Sequence, residues 1–133
     1  MDPLARITVS LSVVAPRGVN LEQLTMLTGI EPTRVWRQQN ATTAANHPQL
    51  DYQEWTVELP RYPADTFDSA INAVIDLVWD VRESLLRFCI ANRAHVTIHL
   101  SPLASADVIV FAIGDPRTIE RVASLHGRIH FHF

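Results

Sequence analysis

A chain of 133 residues is the size of one domain, and 47% apolar content with three Trp and five Phe lets it bury a core, which excludes a disordered chain. A net charge of −3 excludes the basic footprint of a nucleic-acid binder. All eleven basic residues are Arg, so a phosphate-loop lysine, a pyridoxal Schiff base and a lysine nucleophile are excluded as well.

The first strand is expected over 6–14, where Ile7, Val9, Leu11 and Val13 alternate with Thr8, Ser10 and Ser12. That alternation, followed by Pro16, reads as a strand and not as a secretory leader. Asn20 and Gln23 have the spacing of a capping box. A short helix follows, with Leu21, Leu24, Leu27 and Met26 as its apolar face and Gly29 closing it. Pro32 disfavours its continuation. The stretch 38–50 has almost no large apolar residue and reads as a surface loop, longer than most.

A second strand spans 52–59, with Trp55, Val57 and Leu59 on one side, Glu54, Thr56 and Glu58 on the other, and Pro60 and Pro63 ending it. Asp65 or Thr66 caps a long helix whose apolar stripe runs through Phe67, Ile71, Val74, Val78, Val81, Leu85 and Phe88. Asp80 and Glu83 mark a restart, so a break is expected near Trp79. Cys89, the single cysteine, lies in this apolar stretch and reads as a small buried hydrophobe in a reducing, cytoplasmic setting.

Strands are expected at 94–100 (Val96, Ile98 and Leu100 inward; His95, Thr97 and His99 outward), at 107–113, and at 128–133. In the last, Ile129, Phe131 and Phe133 face the core while His130 and His132 face away. Between the last two, Asp115-Pro116 starts a helix that buries Ile119, Val122, Leu125 and Ala123 and ends at Gly127. No run reaches the roughly 18 apolar residues of a membrane span. The fold class is α+β: residues 1–133 form one two-layer domain, a mostly antiparallel five-stranded sheet with helices on one face. The order is β-α-β-α-β-β-α-β, ferredoxin-like in its C-terminal part.

The segment Leu24 to Gly29, then Ile30-Glu31-Pro32-Thr33-Arg34-Val35-Trp36-Arg37, with Trp55 opening the next strand, resembles the bacterial domain of unknown function 4279 family. The resemblance implies a small bacterial α+β domain and no activity. Some relatives sit beside toxin genes and look like immunity proteins, which points to a protein partner. Gln38-Gln39-Asn40 stands where the family often has a Lys-Gly pair, so the turn after Arg37 departs from its pattern.

Three candidate sites arise from the residues. The histidines His95, His99, His130 and His132 share the sheet face away from the helices, and His-x-His on a strand sets two imidazoles about 7 Å apart on one side. In a ferredoxin-like order the two His pairs lie at opposite edges. The candidate metal set is therefore His130 and His132 with Glu54 and Glu58, a set for zinc or nickel, against a plain hydrated face. Arg34, Trp36 and Arg37 form a candidate binding site for an acidic or anionic group, against Trp36 packing at the core edge under the Arg stems. The polar face itself is a candidate interface, and edge-strand pairing is a route to a homodimer. Catalytic motifs such as Gly-x-Ser-x-Gly are lacking, so a non-enzymatic interaction module leads and a metal- or ligand-binding protein is the alternative.

Overall fold

A computed structural model describes residues 5–37, 52–64, 66–102 and 115–132. One sheet contains β1 (Ala5–Pro16), β2 (Arg34–Arg37), β3 (Tyr52–Ala64), β4 (His95–Pro102) and β5 (Arg128–Phe131) in the order β2-β3-β1-β4-β5. Neighbours are antiparallel except β4 and β5, which run parallel. Helices α1 (Glu22–Thr28), α2 (Phe67–Asp76), α3 (Arg82–Asn92) and α4 (Pro116–Ser124) all bury side chains in a single core with one face of this sheet. The fold class is therefore the α+β, open-sheet arrangement expected from the hydrophobic pattern.

The central strand β1 explains the layering. Ile7, Val9, Leu11 and Val13 are fully buried beneath it, against Phe67, Ile71, Val74 and Leu85 of α2 and α3. Ser10 and Ser12 alternate with them onto the opposite face. Val96, Ile98 and Leu100 of β4 and Trp55 and Val57 of β3 extend the same apolar layer. Trp55 also donates from Nε1 to Thr25 Oγ1 at 3.0 Å, which ties α1 to β3.

As expected, the long apolar stripe breaks near Trp79, dividing into α2 and α3 around a 3-10 turn at Trp79–Val81. Of the two expected caps, Thr66 caps α2 by accepting from Ser69 N–H. Other elements differ from the sequence expectation. Val81 holds the N-cap position of α3 and supplies no side-chain cap there, so the Asp80 and Glu83 restart cap does not form. Strand β3 runs through both prolines. Pro60 and Arg61 together oppose Thr8, a bulge in which Arg61 adopts a φ of 50° and donates its N–H to Thr8 Oγ1. Among the described residues β2 pairs with β3 over 53–56 and no other strand lies on that side of β3, where prolines are tolerated. Strand β2 itself has two adjacent apolar residues, Val35 and Trp36, between Arg34 and Arg37, which give no period-two signal.

Two helices are rotated relative to the apolar count. In α1 the buried stripe is Leu21, Leu24 and Thr28, which leaves Met26 and Leu27 on the outer side. In α4 the buried stripe is Thr118, Arg121, Val122 and Leu125, and Ile119 and Ala123 face out. The cause is a polar seam with α2: Asn72 Nδ2 donates to Thr118 Oγ1 at 2.8 Å, and Arg121 donates to Asn72 Oδ1 and to Asp76. The Arg121 and Arg82 guanidinium groups lie over the Trp79 ring at 4.5 and 4.3 Å. The expected loop 38–50, the expected strand 107–113 and Phe133 lie outside the described residues.

The sheet order also differs from a ferredoxin-like one, which would hold β4 and β5 at opposite edges. Here β1 occupies the centre, β4 pairs with it, and β5 pairs with β4. This difference decides where the histidines meet.

The polar seam is open to a direct test. Arg121→Ala should lower unfolding free energy by about 2–4 kcal/mol in urea melts, because it strands Asn72 and strips one face of Trp79. Ile119→Ala, on the exposed side of the same helix, should change it by less than about 0.5 kcal/mol.

Candidate metal centre

The open face is built in cross-strand rows. One row carries Glu58, Ser10, His99 and His130 on β3, β1, β4 and β5. The next carries Arg34, Thr56, Ser12, Thr97 and Arg128, and the third carries Trp36, Glu54, Val14 and His95. The middle positions are small. Ser10, Ser12, Thr56 and Thr97 are all buried, and Ser12 and Thr56 share a hydroxyl hydrogen bond of 2.9 Å.

Small residues along the centre let long side chains lean across them. Glu54 stands opposite Val14 and His99 opposite Ser10, so the two are separated by two strand spacings and by four residues along β1. Even so, Glu54 Oε1 lies 4.0 Å from His99 Nε2. From the other side Arg34 Nη1 reaches Glu58 Oε1 at 2.9 Å. The result is a groove of about 310 Å³ floored by Ser10 and Ser12 and walled by Glu54, Glu58 and Arg34 opposite His99 and His132.

At the β4–β5 end three histidines converge. The parallel register sets His130 beside His99, and the His132 backbone N–H donates to Leu100 O at 2.8 Å, which carries the chain on in register. His99 Nδ1 and His132 Nε2 are hydrogen-bonded at 2.8 Å. The His130 ring meets His99 edge-on, 5.5 Å between centroids. One nitrogen from each ring lies within 4.8 Å of the other two. Tetrahedral zinc with bonds of about 2.0–2.1 Å needs ligand nitrogens roughly 3.4 Å apart. Reaching that spacing asks only for small rotations of His130 and His132, both exposed.

The electrostatics suit a neutral donor set. Burial, then the neighbouring His132 and His130, and last Arg34, lower the His99 pKa from 6.5 to about 4. His95, two rows further on, is lowered by burial, Arg128 and His130. Neutral imidazole is the form that ligates. His99 also shows the two-sided arrangement of many metal-bound histidines: Nδ1 faces the cluster while Nε2 faces a carboxylate that can orient the ring. Since Glu54 lies on the far side of the ring from the cluster, it is an orienting group, not a fourth ligand.

Of the residues singled out from sequence, His130 and His132 lie in the cluster, and Glu54 lies beside it through His99. Glu58 is engaged by Arg34, and its backbone N–H donates to Thr33 Oγ1. The third nitrogen comes from His99, which the expected strand order had placed at the opposite edge. Arg34 and Trp36 share the polar face of β2. Trp36 is 40% exposed and packs on Tyr52 with centroids 5.0 Å apart. For Arg37 the backbone is described and pairs with Gln53. Cys89 is buried and its thiol is pushed up to about 11 by desolvation, so it supplies no thiolate at neutral pH.

An open-sheet α+β domain with a histidine cluster on its polar face is the class this geometry defines. The chain belongs to the family described as Domain of unknown function (DUF4279), whose family model matches residues 5–133. No curated protein and no solved structure matches it. Among the described residues no helix is long and apolar enough to cross a membrane.

The depressed histidine pKa values have a stability consequence. The unfolded chain binds protons at His99 below about pH 6.5, whereas the folded metal-free protein resists them until about pH 4. The stabilising share of neutral His99 is therefore complete above pH 6.5 and is lost as pH falls toward 4. Urea midpoints measured across this window should drop, and His99→Asn should flatten the drop. An unchanged slope in that variant would place the effect elsewhere.

Proposed function

We propose that this protein binds a divalent transition metal, zinc by preference, through His99, His130 and His132, with Glu54 orienting His99. The observation that supports the reading is the convergence of three imidazole nitrogens within 4.8 Å at the end of a polar groove. Three neutral nitrogen donors suit zinc or nickel, and a set of three leaves a coordination position open. The lone buried cysteine is compatible with the reducing cytoplasm, where we place the protein.

Protein purified without a His tag should carry or take up one zinc per chain by native mass spectrometry, with a raised Tm. His130→Ala or His132→Ala should weaken zinc binding by about 100-fold or more, and Glu54→Gln by roughly 10–100-fold. Metal-free protein whose Tm is indifferent to zinc and nickel would remove this reading.

A protein-interaction role, of the immunity kind suggested by the family resemblance, is the second reading. Its support is the half-exposed Trp36–Tyr52 pair beside Arg34 on β2, an edge strand of the described sheet. Aromatic and Arg side chains at an edge are typical interface anchors. Trp36→Ala should then lower partner recovery from lysate at least tenfold while leaving the melting temperature nearly unchanged. Equal recovery would discard the edge as the docking point.

A further inference from the structure

The groove adjoining the histidines has its own chemistry. Two of the three proposed ligands, His99 and His132, are also its walls, so an ion held by them sits at the groove's end. Across from them Arg34 leans over the floor, steered by its bond to Glu58. Thr33 in turn holds the Glu58 backbone. Among the described residues this is the one hydrogen bond of the Arg34 guanidinium, which has five N–H donors and a half-exposed side chain. Hydroxyls of Thr8, Ser10 and Ser101 line the space between the two ends.

Charge decides what such a groove accepts. Without metal it holds Arg34 against Glu54 and Glu58, with His99 neutral, a net of about −1 by formal charges. That balance repels anions. A divalent ion at the histidines reverses it to about +1 and adds a Lewis-acidic position. The volume of about 310 Å³ admits a small molecule.

Resting on the metal site proposed above, we infer that the groove binds a small oxyanion, of carboxylate or phosphate chemistry, with one oxygen on the metal and another hydrogen-bonded by Arg34. Binding is metal-dependent, because the metal supplies both the open position and the sign of the charge. Arg34 acts as the second anchor, and the hydroxyl-lined floor solvates the remaining oxygens. Glu58 sets a ceiling on affinity by neutralising Arg34 while it orients the guanidinium.

The test uses the full chain loaded with one cobalt(II) and desalted, its visible spectrum followed during titration with inorganic phosphate and, separately, malonate. A saturable spectral change with either anion is expected, and the stronger of the two names the source of the oxyanion. Arg34→Gln should weaken that titration about tenfold or more while keeping cobalt affinity within about threefold. Glu58→Gln should strengthen it, since it removes a negative charge and leaves Arg34 in place. A cobalt-loaded protein whose spectrum is blind to both anions, or an Arg34→Gln variant that titrates like the parent, would overturn this inference and leave the metal site standing. Failure to take up cobalt at all would overturn both.

Discussion

Strand β1 is the constraint on which the rest of the molecule depends. It is paired on both sides, with β3 and with β4, and its side chains have only two directions to take. On one side they are Ile7, Val9, Leu11 and Val13, which hold α2 and α3 against the sheet. On the other they are Thr8, Ser10 and Ser12, short enough that side chains from the flanking strands can meet over them. A single slip of register would exchange the two sets. Core and groove are thus two consequences of one alternation.

The groove's character follows from that floor. Had β1 carried long residues on its polar side, Glu54 and His99 would have stayed on their own strands and each would have been hydrated separately. With serines between them they approach within 4.0 Å. Burial first, then the neighbouring His132 and His130 and last Arg34, keep His99 neutral, the state in which an imidazole can share a proton with His132 or a lone pair with a metal. Structure and electrostatics therefore act in the same direction at this end of the sheet. The opposite edge, β2, is different in kind. Its Trp36 is half-exposed and packs on Tyr52 of β3, an aromatic pair that suits contact with another molecule.

Polar packing between helices has a similar explanatory weight on the other layer. Asn72 and Arg121 lock α4 to α2 and turn Thr118 inward at the expense of Ile119. The apolar residues of α4 were therefore a poor guide to its orientation, because one of its buried positions carries a guanidinium satisfied by hydrogen bonds and by the Trp79 ring. The same lesson applies to α1, where Thr25 and Thr28 lie toward the sheet and Met26 faces out.

Read alone, the sequence carried the fold class, most of the strands, the interrupted long helix, the cap at Asp115, a cap at Asp65 or Thr66, and the polar face of the strands it located. These are local properties: periods of two and of three to four residues, and side chains bonding within a few positions of their own backbone. It also determined that His99, His130 and His132 point the same way from their strands. What the tertiary structure alone decided is that β4 and β5 are neighbours. Strand adjacency is a long-range choice, made here by β1 taking the centre and β4 pairing with it, and no local pattern encodes it. That choice brings His99 to His130 and His132, leaves Glu58 to Arg34, and gives the open face a cluster where the sequence showed only separate histidines.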